Sequence, residues 1–354
     1  MKTEHLLIIR FSAMGDVAMT VPVIYSLTQQ YPQLRISVLS RPYAQAFFDN
    51  LAPNVDFMAA DLKHEYRKIR GLNKLYRRLT AKQFTAVADF HDTLRSKYLR
   101  MRFFMDRFKV AHIDKHRSEK RELIDHQNKV LKPIQSAFQN YADVLSELGY
   151  PIKLNFNSIF PTNNEAFSSL IPKIGNYKEN EKWIGLAPFA AHTGKIYPLT
   201  HMEQTLQGLL KKYPTARIFL FGGSNQEKKV FLQWTKKYPS CTVVPTTLHS
   251  LQEELILMSR LDVMISMDSA NMHLASLVNT PVVSIWGATH PYAGFMGWNQ
   301  SIENAVQTDL PCRPCSIYGE KPCRRKDYAC LYQIKPEQII QQVDKILSHK
   351  DKLH

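Results

Sequence analysis

Residues 268–291, DSANMHLASLVNTPVVSIWGATHP, decide how this chain is read. An apolar run, Val263 to Ser266, precedes them and predicts a buried parallel strand. After Asp268 the pattern turns helical, with Met272, Leu274, Ala275, Leu277 and Val278 on one stripe. Pro281 to Trp286 is a second apolar strand that breaks at Gly287. Strand, turn, helix and strand make a βαβ unit, and ligands of open α/β sheets bind beyond the carboxyl ends of the strands. The backbone N–H groups of Ser269, Ala270 and Asn271 would open the helix, where they and the helix dipole suit a phosphate. The plainer alternative is that Asp268 and Ser269 only cap a helix.

The same alternation extends both ways. Leu6–Arg10, Arg35–Leu39, Val55–Ala59, Thr85–Phe90 and Lys109–Ile113 read as strands, with helices over Tyr43–Leu51, Tyr66–Leu79, Leu94–Phe104 and Ser136–Leu148. Asp16 opens a first helix in which Pro22 restarts or kinks the chain. Residues 114–135 are basic and aperiodic, and read as a loop with a short helix. Residues 161–182, with Pro161, Asn163, Asn164 and Gly175, read as a linker. The pattern then resumes with strands at Trp183–Ala187, Arg217–Phe221 and Thr242–Val244. Helices alternate with these at His201–Tyr213, Gln226–Tyr238 and Leu251–Ser259, and a last one runs from Glu337 to Leu347. The expected fold is α/β: two doubly wound Rossmann-like domains facing a central cleft, the GT-B architecture, which bilobal dehydrogenases and sugar epimerases share in outline. The expected division is residues 1–165, residues 166–335, and a C-terminal helix at 336–354 that returns to the first domain.

At 354 residues the chain is too long for one ordinary core, and its 44% hydrophobic content is that of a globular protein. No apolar run is long enough to cross a membrane, and Leu6-Leu7-Ile8-Ile9 is too short for a signal peptide, so a cytoplasmic protein is expected. The net charge is +15, of which +11 falls between Asp61 and Arg121. Such concentration points to an acidic partner: nucleic acid, an anionic membrane surface or a polyanionic substrate. Four of the five cysteines, Cys312, Cys315, Cys323 and Cys330, cluster at a spacing that a structural zinc site could use.

Several motifs, in order, resemble glycosyltransferase family 9, the ADP-heptose:lipopolysaccharide heptosyltransferases. Ser12-Ala13-Met14-Gly15-Asp16, following an apolar strand, resembles the family's S-x-x-G-D. Asp268-Ser269-Ala270-Asn271-Met272-His273-Leu274-Ala275 resembles its D-[ST]-G-x-x-H-L-A, and Gly287-Ala288-Thr289-His290-Pro291 its G-x-T-x-P. Cys312-Arg313-Pro314-Cys315 and Cys330-Leu331 resemble its C-x-P-C and C-[LM] elements. Asp89-Phe90-His91-Asp92-Thr93-Leu94-Arg95-Ser96 resembles its D-[LF]-[QH]-x-x-x-[RK]-S.

The resemblance implies inverting, metal-independent transfer of a heptose or related sugar from a nucleotide-sugar donor, ADP-heptose, to the acidic inner core of lipopolysaccharide. No cofactor is required for that chemistry. Asp16 is then the catalytic base, with its pKa depressed by the helix N-terminus. Lys195, Glu227, Asp268, Ser269, Ala270, Asn271 and His273 are donor-binding, with Glu227 on the ribose and Lys195 on the diphosphate. Thr246, Thr247 and Leu248 fall near the base. Ser12, Gly15, His91, Asp92, Arg95, Arg67 and Arg70 are on the acceptor side, where arginines grip acidic groups. Ala270 stands where the family has glycine, and would be strained if that position needs a positive φ. The implied partners are the donor, an acidic glycolipid and the inner face of the cytoplasmic membrane, held peripherally by a monomer. Nucleic acid is not among them: no nucleic-acid motif accompanies the basic stretch. A nicotinamide dehydrogenase wants G-x-G-x-x-G, which neither Gly15 nor Gly222-Gly223 supplies. The alternatives are a GT-B transferase or epimerase for another sugar nucleotide, and a non-catalytic protein that binds anionic membrane or nucleic acid.

Overall fold

The computed structural model describes residues 4–160, 165–178 and 180–351; Pro161, Asn163 and Asn164 of the expected linker lie outside them. Within the first unit, β1 (His5–Ile9), β2 (Arg35–Ser40), β3 (Val55–Ala59), β4 (Ala86–Asp89) and β5 (Lys109–His112) form one sheet. It is all parallel, in the order β3-β2-β1-β4-β5. Helices cover both faces of a parallel sheet, so its central strand is apolar after His5, and Leu6 to Ile9 are fully buried. Pro22 restarts the first helix rather than kinking it: Met14–Ala18 ends, and Val21–Gln30 begins with the proline in its first turn, where no N–H is needed. The segment expected as a helix at Tyr43–Leu51 is a shorter 3₁₀ turn, Pro42–Phe47.

The second unit holds β6 (Trp183–Ala187), β7 (Arg217–Leu220), β8 (Cys241–Val243), β9 (Val263–Met267), β10 (Val282–Trp286) and β11 (Ala305–Gln307). They lie parallel in the order β11-β10-β9-β6-β7-β8. Strand β11 escapes a reading of periodicity because it buries only Val306, so no apolar run marks it. Both sheets reverse direction of winding beside their first strand: between β1 and β4 in one, between β6 and β9 in the other. At these switch points the loops leaving the two neighbouring strands diverge to opposite faces and open a crevice. Register sets the loops level, since Ile9 pairs with Asp89 and Ala187 with Ser266.

The division of the chain differs from the expected one in two respects. Residues 116–134 belong to the second unit, which otherwise begins at Phe160; the first unit resumes at Gln135 and ends at Ile159. The helix Arg117–Leu123 within this excursion buries Leu123 against Ala293 and Ile317, and the Ile134 N–H donates to Tyr292 O at 2.8 Å. Five apolar side chains, scattered among many cations, give no periodic signal. The C-terminal helix Pro336–Asp351 is the second correction. Its Ile339, Val343 and Leu347, one turn apart, are buried in the core of the second unit, whereas the first unit was expected to receive them. Among the described residues no helix is long and apolar enough to cross a membrane.

Candidate active site

In the first unit, the loop after β1 brings Phe11, Ser12 and Ala13 to the switch point. Asp16 follows in the third position of the helix Met14–Ala18, where its carboxylate turns back on the helix start. The Ala13 N–H donates to Asp16 Oδ2 at 2.9 Å, and Arg10 Nη2 lies 2.9 Å from the same oxygen. Arg10 is itself buried and donates through Nη1 to Phe90 O at 2.7 Å. A charge-assisted pair anchored at both ends holds the carboxylate in one orientation. Arg10 directly follows the first strand, and no motif singles it out as a site residue. Gly15 is buried in the first helical turn.

The loop after β4 is built on Asp89, whose fully buried carboxylate accepts from the His91 and Asp92 N–H groups at 3.0 and 2.8 Å. Asp92 adopts a left-handed φ of 47°, which Asp tolerates better than most side chains. Its carboxylate turns to Arg100 (3.2 Å) and Lys97 (3.4 Å), so Asp92 braces this loop rather than facing the cavity beside it. Burial would raise the Asp92 pKa, but Lys115, Lys97 and Arg100 outweigh it and hold the carboxyl below its ordinary value. His91 Nε2 and Ser12 Oγ are 3.4 Å apart, which joins the two loops.

A cavity of about 870 Å³ opens here. Ser12, His91, Arg67 and Arg95 line it, as does Leu94; Arg41 and Lys63 add cations that the motifs do not reveal. Arg70 is exposed and is not part of the lining. The wall is therefore cationic, with a neutral imidazole in it. Burial, reinforced by Arg10 and Lys115, pushes the His91 pKa down to about 3. The unfolded chain takes up that proton near the ordinary value of 6.5, whereas the folded chain does not. Stability from this group is complete above that value and is lost as pH falls towards 3. Between pH ~6.5 and ~5 the loss from His91 is about 1.6 kcal/mol. Urea denaturation at the two pH values should show this fall, and His91→Gln should flatten it. An equal fall in the variant would assign the effect elsewhere, for example to His290, which burial likewise pushes down to about 4.

In the second unit, the loop after β6 carries the 3₁₀ turn Thr193–Lys195, and the loop after β9 carries Asp268. The switch point sets them side by side. Lys195 Nζ lies 2.9 Å from Asp268 Oδ2, and Thr289 Oγ1 donates to that oxygen at 2.8 Å. Asp268 is buried. It is committed to Lys195 and Thr289, so it positions the cation and does not cap the helix. Ser269 does not cap it through its side chain either; its Oγ lies 3.3 Å from Ser266 Oγ. The helix Ala270–Leu277 thus starts with no side-chain cap on its first turn. Ala270 is its first residue and is not among the positive-φ residues, so alanine fits there without backbone strain. His273 is buried one turn on.

Two close backbone approaches shape this loop pair. A Cβ on Gly194 would lie 2.8 Å from Gly319 O, and one on Gly287 would lie 2.6 Å from Gly194 O. Arg313 fastens the assembly from behind. It is buried and donates to Gly287 O (2.6 Å), Trp286 O (3.2 Å), Thr289 O (3.0 Å) and Gln307 Oε1 (3.0 Å), and also to Thr308 O. Glu227 lies in the first turn of the helix Asn225–Lys237, just after the turn Gly222–Ser224 that leaves β7. Its Oε2 accepts from the Gly223 and Ser224 N–H groups at 2.7 and 2.9 Å, so one carboxylate oxygen serves the turn. The short helix Val244–Thr247 after β8 ties both threonine hydroxyls back to Val243 O.

Cys312, Cys315, Cys323 and Cys330 come close enough in the fold to act on one another's charge. Among the described residues no three His, Cys, Asp or Glu side chains converge to hold a metal. Cys330 is buried in the core of the second unit, Cys323 Sγ reaches Asp327, and the Cys315 backbone N–H donates to Ala288 O at 3.0 Å. Burial pushes the Cys330 thiol up to about 11.

Comparison with known proteins gives a consistent result. Glycosyltransferase family 9 (heptosyltransferase) matches residues 72–328. A lipooligosaccharide heptosyltransferase 2 of Campylobacter jejuni is 22% identical over 343 residues, covering 94% of this chain and 96% of that one. Among solved structures, a family 9 glycosyl transferase from Veillonella parvula superposes with a TM-score of 0.74 at 18% identity, over 99% of this chain and 98% of its own. The ADP-heptose lps heptosyltransferase II of E. coli does so with 0.70 at 16% identity, over 98% and 99%. The shared fold is GT-B, with two parallel α/β sheets.

Proposed function

Because the chain belongs to glycosyltransferase family 9, the heptosyltransferase family, we propose that it moves a heptose from ADP-heptose to the acidic inner core of lipopolysaccharide, inverting the anomeric carbon without a metal ion. The observation that carries this reading is the Lys195–Asp268 pair beside the uncapped start of the helix Ala270–Leu277. A leaving diphosphate needs positive charge and N–H donors placed before the reaction starts. Lys195 supplies the charge, and the N–H groups of Ser269, Ala270 and Asn271 supply the donors. Asp268 holds Lys195 in place. Glu227 offers its second oxygen to the ribose, and His273 backs the phosphate turn.

In this reading the first unit supplies the base and the acceptor site. Asp16 takes the proton of the attacking hydroxyl, held for that task by Arg10 and the Ala13 N–H. Arg41, Lys63, Arg67 and Arg95 receive the acidic groups of the acceptor, with Ser12 and His91 on its hydroxyls. The E. coli relative is an ADP-heptose enzyme, which supports the same donor here. A membrane glycolipid acceptor would place the enzyme peripherally at the cytoplasmic leaflet.

The test is a transfer assay with ADP-heptose and de-acylated inner-core acceptor in the presence of EDTA, following ADP release and the anomeric configuration of the product by NMR. Product of inverted configuration is expected. Turnover only with a UDP- or GDP-sugar, or a retained configuration, would sink the proposal.

A further inference from the structure

The helix Leu94–Met105 carries a face that its own unit leaves uncovered. Its inner side is ordinary: Ser96, Leu99 and Phe103 are buried. On the opposite side Leu94, Met101 and Met105 recur after seven and four residues, which aligns them in a stripe about 16 Å long. They are 88%, 50% and 67% exposed, and Phe104 beside them is 68% exposed. The neighbouring helix Ile69–Thr80 adds Ile69, itself well exposed. The two helices are tied through Asn73, whose Oδ1 accepts from Tyr98 Oη and Arg102 Nη1. Single exposed apolar side chains are common on surfaces, but several large ones grouped on two adjoining helices mark an interaction surface.

Charge identifies the partner. Residues 63–78 and 94–107 together hold twelve Lys or Arg and two Asp or Glu. Large apolar side chains set among cations are the pattern of a helix lying in a bilayer interface, its apolar face at the acyl boundary and its cations over anionic headgroups. A second copy of this chain would bring the same cations against themselves, which opposes self-association through this face. The stripe is also continuous with the cavity, since Leu94 and Arg95 line its wall.

We propose that Leu94, Met101, Phe104 and Met105 form a membrane-docking face for an anionic lipid leaflet. The link to a lipid-borne acceptor rests on the proposed function; the docking itself does not, and it is read without any substrate. The full chain is sedimented with phosphatidylglycerol–phosphatidylcholine vesicles and with pure phosphatidylcholine vesicles, beside the variant Met101→Ser/Phe104→Ser/Met105→Ser. The wild type is expected to bind the anionic vesicles selectively, and the variant to bind them at least about tenfold more weakly with an unchanged melting temperature. These side chains are exposed, so the variant folds. Equal binding by the two proteins, or no binding by the wild type, overturns the proposal. So does a dimer in sedimentation velocity that the substitutions abolish while vesicle binding persists, because the face would then serve self-association.

Discussion

Asp16→Asn is expected to lower turnover about 10³-fold while the dissociation constant for ADP-heptose stays within about twofold of wild type. Asparagine keeps the volume of aspartate and can still accept from the Ala13 N–H, but it takes no proton. Arg10 loses its charged partner, yet its bond to Phe90 O remains, so the loop is expected to hold. The donor-binding residues proposed here all belong to the other unit, which is why affinity for the donor is the discriminating control. Single-turnover kinetics with saturating donor and calorimetric titration of ADP-heptose measure the two quantities. A near-normal rate would remove Asp16 from the chemistry. A large loss of donor affinity would make its role structural.

Arg313→Met should act in the opposite way, through stability and donor binding rather than through the chemical step. Methionine preserves much of the stem but removes every donor that Arg313 gives to Trp286, Gly287, Thr289 and Gln307. Buried carbonyls left without partners cost about 1–3 kcal/mol each, and they are not additive, so a loss of about 3–5 kcal/mol is expected in urea denaturation. The loosened segment carries Thr289, which shares Asp268 with Lys195. The donor dissociation constant should therefore rise about tenfold or more, corresponding to at least about 1.4 kcal/mol. Unchanged affinity in a destabilised variant would confine Arg313 to folding.

The contrast between these two residues shows what the sequence makes legible. Asp16 follows an apolar strand and opens a helix, so its place can be read from spacing, while its candidate role comes from the family motif it completes. The longer strands of both units are apolar runs bounded by turn residues, as parallel sheets require, and such runs mark their own ends to within a residue or two. Arg313 sits between a cysteine and a proline in an aperiodic segment, and its work lies in contacts with residues about 25 positions earlier. No local pattern reports such contacts. Asp268 is an intermediate case. Its position at a strand end is visible in the sequence, but that it holds Lys195 and leaves the helix start uncapped depends on the strand order of the sheet. Glu227 shows why a plain reading and a functional one need not exclude each other: one oxygen braces the turn, and the other is proposed for the ribose. Arg10, Arg41 and Lys63 are hidden by the abundance of cations around them.

The excursion of residues 116–134 bears on how this chain could be divided or recombined. The backbone passes from one unit to the other three times, after Lys115, Ile134 and Ile159. A single cut near residue 160 would yield an N-terminal fragment carrying a segment that belongs elsewhere, and a C-terminal fragment lacking Leu123 over Ala293 and Ile317. Exchange of one half for that of a relative would suffer the same defect unless both junctions of the excursion travelled with it. The units are distinct as cores but not as modules, so a chimera intended to change the donor should be spliced at three places, not one.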